Sequence, residues 1–191
     1  METVLATEPI SRASERGAPL TDFDDIARAH GQAIYRFILA SLRDQDAAET
    51  LTQDCLMRAY QAREKFRGDS SVRTWLMRIA VNLVRDHASS ERLKFWRRAS
   101  KAAQNIGAAA QRVADRARSP EAIAEAKEKV EAVWRAAACL SHKQRTVLLL
   151  RFVEDMEILE IAAATGMKEG TVKIHLFRAL QKVRARIEGM K

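Results

Sequence analysis

Glycine and proline are scarce in this chain of 191 residues, seven and three respectively. Hairpins and tight turns draw on those two residues, so a β-rich fold is disfavoured. Cysteine is scarcer still. Cys55 and Cys139 lie in no Cys-x-x-Cys or Cys/His cluster, which removes the usual zinc signatures. Both sit among apolar residues and are expected to be small buried thiols of a reducing compartment. The longest dense apolar run, residues 147–150, is far short of the roughly 20 residues a bilayer span needs. Residues 1–20 have no apolar centre and carry early glutamates, unlike a secretory signal, so a cytoplasmic location is expected. Histidines 30, 87, 142 and 175 are scattered, and there is no Gly-rich phosphate loop or His-Glu-x-x-His. The chain is therefore expected not to be an enzyme and to need no metal and no cofactor. The acidic cluster Asp22, Asp24 and Asp25 reads as charge at a helix N-terminus.

What the chain does have is positive charge, unevenly placed. Its formal net charge is +8. Residues 58–101 hold twelve Lys/Arg and four Asp/Glu, a surplus of +8 that equals that of the whole chain. A basic excess of this kind suits a polyanionic partner. The blander reading is a solvated helix face.

From about Asp22 the pattern turns helical. Residues 1–20, with Pro9, Gly17 and Pro19, read as a flexible tail. Phe23, Ile26 and Ala27, then Ile34, Phe37 and Ile38, recur at spacings of three and four. A turn is expected over residues 42–46, with Asp46 capping the next helix and Glu49 in the capping-box position. That helix carries Leu51, Cys55, Leu56, Ala59 and Tyr60 on one face. A loop follows at residues 67–71. Another helix opens near Ser71 with a stripe of Val72, Trp75, Leu76, Ile79, Ala80 and Leu83, running to about His87 or beyond. Residues 96–120 are rich in Ala and Arg without a strong stripe and read as a linker. Ser119 and Pro120 suit a helix start. The expected organisation is all-α, with two small helical domains, 21–95 and 121–191, joined by the 96–120 linker. Later helices are expected at 143–153, 159–165 and 170–187.

The second domain carries the most specific signal. In residues 158–178 a short helix containing Ile161 and Ala162 meets a turn glycine, Gly166, and Met167 plugs the gap. A second helix begins near Thr171 with Val172, Leu176, Leu180 and Val183 facing inward. This is a helix-turn-helix layout, in which Gly166 supplies the positive φ of the turn. The outward residues Lys173, His175, Phe177 and Arg178 would enter a DNA major groove, where Arg and Lys donate to guanine and an aromatic packs on a thymine methyl. Thr171 and the helix-start amides suit phosphate. The alternative is a plain helical hairpin with a charged face.

These residues bring a family into view. The second domain resembles region 4 of extracytoplasmic-function sigma factors, with residues 140–151 similar to its opening helices and 160–179 to its helix-turn-helix. The first domain resembles sigma region 2 in three segments: LTQDCLMRAY (51–60), FRGDSS (66–71) and RTWLMRIAVN (73–82). The resemblance implies that region 2 docks on the β′ clamp helices of core RNA polymerase and opens the −10 element of promoter DNA. It implies that region 4 binds the β flap and reads the −35 element. By position, Leu51, Gln53, Asp54 and Arg58 would meet the clamp helices. Asn82 would read the −10 element, with a loop at 87–93 holding a flipped base. Arg67, Arg73, Arg78 and Arg85 would contact phosphates. Trp75 fits core packing better than base stacking, and Trp96 receives no role. Thr171, Lys173, Ile174, His175, Phe177 and Arg178 would serve the −35 element. Three positions depart from the family pattern. Ile174 replaces a small polar residue, His175 stands where Arg is frequent, and Glu157 takes a Ser/Thr cap position, which points to Asp155 as cap instead. The resemblance also implies an anti-sigma factor as a partner.

Three other readings share part of this signal. A stand-alone helix-turn-helix regulator explains 158–178 but not the basic first domain. A nucleic-acid enzyme lacks clustered acid, base or metal ligands. A DNA-inactive decoy leaves the complete helix-turn-helix without a purpose.

Overall fold

A computed structural model describes residues 23–99, 137 and 139–189, with side chains to residue 90 in the first stretch. The expected tail, most of the linker, the Ser119–Pro120 helix start and the Trp96 side chain lie outside the described residues. Within them the chain is all-helical. α1 spans Phe23–Leu42, α2 Gln45–Ala62 and α3 Val72–Ala99, with a one-turn 3-10 helix at Arg63–Lys65. α4 spans His142–Phe152, α5 Ile158–Thr165 and α6 Glu169–Glu188.

Local chemistry explains the ends. Asp44, not Asp46, caps α2 by accepting from the Ala47 amide at 3.0 Å. The turn before it is thus shorter than expected, and Arg43 absorbs the reversal at φ 58°. Glu49 instead accepts from Gln45 Nε2 at 2.9 Å. Ser141 and Gln144 form a reciprocal capping box on α4, satisfying two otherwise orphaned amides. Glu157 is the N-cap of α5, and the Glu160 carboxylate accepts from its amide at 2.8 Å. Asp155 is no cap: it lies in the left-handed region at φ 48° and faces Arg151 at 3.8 Å.

The loop expected at 87–93 is absent. Those residues continue α3, which runs on to Ala99, four residues into the expected linker. No Gly or Pro interrupts residues 72–99, and the Ser89 hydroxyl returns its bond to the Arg85 carbonyl at 2.9 Å rather than breaking the helix.

The two helical groups share a core. Ile34, Phe37, Ile38, Cys55, Leu76 and Ala80 pack in one buried cluster with Val147, Leu150, Met156, Ile161 and Val172. α5 lies against α3, and α4 against α1. A smaller cluster, Ala137, Leu140, Leu148 and Ala179, is internal to the second group. Cys55 is buried as expected, whereas Cys139 is exposed.

Candidate nucleic-acid and polymerase interfaces

α6 presents the most open surface. The turn into it is set by Gly166, which ends α5 at φ 71°, ψ 15° and donates to the Ala162 carbonyl at 2.9 Å. A Cβ there would meet nothing within 4 Å, so the demand for glycine is conformational, not steric. Val172 and Ala179 are fully buried in α6, with Leu176 and Val183 packed partly against the cores. Leu180, expected inside, is 41% exposed, and Ala179 takes the inward place. Positions 172, 176, 179 and 183 follow the helical period, and 180 drifts off that face. Thr171, Lys173, Ile174, Phe177 and Arg178 are all exposed. His175 is not outward as expected: it is half-buried, and its Nδ1 is buried without a hydrogen-bond partner.

α3 is a more constrained surface. Arg78 and Arg85 are exposed, and Asn82 between them is half-buried. At spacings of four and three these residues share one face. Arg67 is exposed on the preceding loop. Arg73 leaves this set. It lies nine residues from Asn82, and at about 100° per residue this places it on the opposite side of the helix. There its guanidinium donates to the backbone carbonyl of Glu154 and stands 3.6 Å from that carboxylate. Trp75 packs on Phe66, ring centroids 5.1 Å apart, as core packing requires.

On α2, Gln53 and Arg58 are exposed, Leu51 and Asp54 half-buried. Arg58 pairs with Asp54 one turn earlier at 3.0 Å, an exposed pair of the kind worth under about 1 kcal/mol. Burial pushes the Cys55 thiol up to about 12, with nearby Asp54 adding to the effect. Met57 and Tyr60 are exposed on this helix. Sequence periodicity had placed Tyr60 on the buried face. Instead its ring meets the edge of Phe23 at 5.3 Å and lies under the Arg63 guanidinium at 4.0 Å.

Glu154 and Arg36 were not anticipated. The Glu154 side chain is fully buried, and Arg36 donates to its two oxygens at 3.3 and 3.1 Å. Burial pushes the carboxyl above the usual carboxylate range, and the Arg36 and Arg73 guanidiniums offset only part of that. Nothing in the sequence sets Glu154 apart, since Asp155 and Glu157 follow it closely. Among the described residues, no group of three or more metal-capable side chains is present, and no helix is long and apolar enough to cross a membrane.

Comparison with known proteins agrees with this arrangement. Residues 26–94 match the family model for sigma-70 region 2, and residues 130–183 that for sigma-70 region 4. The chain is 31% identical over 170 residues to a probable RNA polymerase sigma-C factor of Mycobacterium bovis, covering 89% of this chain and 84% of that protein. It is 26% identical over 169 residues to the ECF RNA polymerase sigma factor SigW of Bacillus subtilis, covering 88% and 90%. Among solved structures, the sigma factor RpoE in complex with the anti-sigma factor NepR from Bartonella quintana shares the fold at TM-score 0.69 and 22% identity, covering 88% of this chain and 98% of that one. Sigma factors act in transcription initiation as regulators rather than as enzymes. With both regions present in order and a relative matched over most of its length, this chain belongs to the extracytoplasmic-function group of the sigma-70 family, whose members direct core RNA polymerase to promoters.

Proposed function

We propose a residue-level division of this sigma factor's work. The domain at 21–95, extended to 99 by the continuous α3, docks on the β′ clamp helices through Leu51, Gln53, Asp54 and Arg58. Met57, exposed on the same helix, joins that surface. The same domain opens the −10 element through Asn82, flanked by Arg67, Arg78 and Arg85. The domain at 121–191 reaches the β flap and reads the −35 element through Thr171, Lys173, Ile174, Phe177 and Arg178, with His175 as a supporting residue beneath that surface. Residues 96–120 join the two. The observation that carries this reading is the exposed row of Lys173, Ile174, Phe177 and Arg178 on α6, held out by a helix anchored through Val172 and Ala179.

The chain catalyses no reaction and uses no cofactor or metal. Its work is to stabilise opened DNA. Each stacked base-pair step costs about 1.4 kcal/mol to separate. Phosphate contacts offset this without regard to sequence, so specificity resides in Asn82 and the α6 row. The working location is the cytoplasm, where polymerase and promoter are. An anti-sigma factor is the expected regulator, as in the complex of RpoE with NepR.

Reconstitution with bacterial core polymerase and a randomised promoter library tests the reading. Selected templates should share two spaced motifs, and transcripts should require the chain. A folded chain that neither binds core nor starts transcription would instead point to a stand-alone regulator or a decoy.

A further inference from the structure

α6 carries two large apolar side chains in its first half that the fold does not use. Ile174 is 52% exposed and Phe177 61%. Among the described residues, neither core cluster includes either of them. The inward work of the helix falls to Val172, Leu176, Ala179 and Val183. A single exposed apolar residue is ordinary. Two at i and i+3 form a pair, because Cβ atoms at that spacing stand about 5–6 Å apart.

The charges around the pair say what covers it. Lys173 precedes Ile174 and Arg178 follows Phe177, both exposed. α6 as a whole holds five Lys/Arg against two Glu. This favours a polyanion over the apolar face of another protein, which would have to bury those cations. The pair also lies toward the start of α6, the part of a recognition helix whose side chains reach base edges. In the major groove an apolar side chain offers neither donor nor acceptor. Set over an adenine or cytosine amino group, or a guanine carbonyl, it strips water and leaves that group without a partner. The C5 methyl of thymine is the base-edge group that gains from such a contact. Ile174 and Phe177 are about 4.5 Å apart along the helix axis. One base-pair step is about 3.4 Å, so the two side chains suit neighbouring base pairs.

We propose that Ile174 is a specificity-determining residue that reads the C5 methyl of a thymine in the −35 element, next to the base pair met by Phe177. The inference rests on the assignment of α6 to the −35 element and names what that helix selects. The −35 element of this sigma factor then carries thymines, on either strand, in two successive base pairs. The one under Ile174 is chosen by contact with a methyl group, not by a hydrogen bond. A small polar side chain at 174 could donate or accept and would tolerate several bases. Isoleucine narrows that choice.

Removing the methyl alone tests this. Holoenzyme reconstituted from the full chain and core polymerase first selects promoters from the randomised library. The selected −35 elements should hold thymine in two successive base pairs. Templates are then made in which deoxyuridine replaces one −35 thymine at a time, which deletes the methyl and keeps every hydrogen-bonding group. At each of the two positions promoter binding should weaken about fourfold, the factor for one buried methyl-sized group. Ile174→Ser changes an exposed position, so the denaturation midpoint should hold. That variant should bind thymine and uracil alike at one position and keep the fourfold preference at the other, which belongs to Phe177. A general weakening would not produce this position-specific loss. A selected −35 element without thymine would overturn the proposal and leave the assignment of α6 standing. So would uracil templates bound as well as thymine ones, or an Ile174→Ser chain that still discriminates at both positions. Weaker core binding by Ile174→Ser, with discrimination intact, would place Ile174 against a protein and overturn it too. Failure of the wild type to select any −35 motif would instead overturn the assignment of α6.

Discussion

α3 and α6 both carry residues proposed to read DNA, yet they divide their surfaces in opposite proportions. α3 buries Val72, Leu76, Met77, Ala80, Val81, Leu83 and Val84, and the face proposed to read DNA is narrowed to Arg78, Asn82 and Arg85. α6 buries only Val172 and Ala179 completely and leaves most of its circumference to solvent. α3 is a structural member with one exposed basic edge, and α6 is a largely exposed helix with two anchors. Changes on the buried face of α3 should therefore register first as stability, and changes on the outer face of α6 as DNA affinity.

Leu76→Ala should give the largest effect, because Leu76 is fully buried. The expected loss is about 2–5 kcal/mol, read as a lowered midpoint in chemical denaturation. A loss below about 1 kcal/mol would mean that α3 is not the central member described. Asn82→Ala should leave core binding and the fold intact but impair promoter opening, with about 1–3 kcal/mol of base discrimination removed. Permanganate reactivity of the −10 region would report it, and unchanged opening would remove Asn82 from the reading set. Gly166→Ala tests the anchoring of α6. With φ at 71° and open space for the Cβ, the cost should be the backbone term alone, about 1–2 kcal/mol. Arg178→Ala should leave stability within about 0.5 kcal/mol while weakening −35 duplex binding. Equal loss on unrelated DNA, with the slope of log affinity against log salt reduced by about 0.9, would mark Arg178 as a phosphate contact only.

The smallest effect belongs to Glu154, where the second domain meets the first. Burial raises the Glu154 carboxyl above its ordinary range, so the folded chain holds that proton more tightly than the unfolded chain does. Its contribution to stability is full below the unfolded value and is lost as pH climbs through the folded value. The stability of wild type relative to Glu154→Gln should therefore decline as pH rises through the carboxylate range, and denaturation midpoints at several pH values would show it. A flat difference would place Glu154 in a more solvated setting.

Much of this was readable along the chain. The spacings at 34–38, 72–83 and 158–183 follow three- and four-residue periods because each helix must bury a stripe, and that requirement is local. The turn at Gly166 was readable for the same reason, since a positive φ narrows the choice of residue. Features that depend on competition between equivalent candidates were not. Asp44 and Asp46 are both good caps, and only the path of the chain through Arg43 selects the first. Residues 87–93 lack a stripe, yet nothing in them stops a helix already under way. Leu180 lost its inward place to Ala179 because the face set by Val172, Leu176 and Val183 passes through position 179. Cys139 has apolar neighbours in sequence but not a buried position in space.

By itself the sequence determined an all-helical chain, a basic first region followed by a helix-turn-helix, and a glycine-dependent turn, because each follows from composition or from contacts within one or two helical turns. Only the tertiary structure decided that the two domains share a core, that Arg73 points away from Asn82 toward Glu154, and that Arg36 meets an acid 118 positions further along the chain. Such contacts are set by how apolar stripes from distant helices fit together, and no local pattern records which stripe meets which.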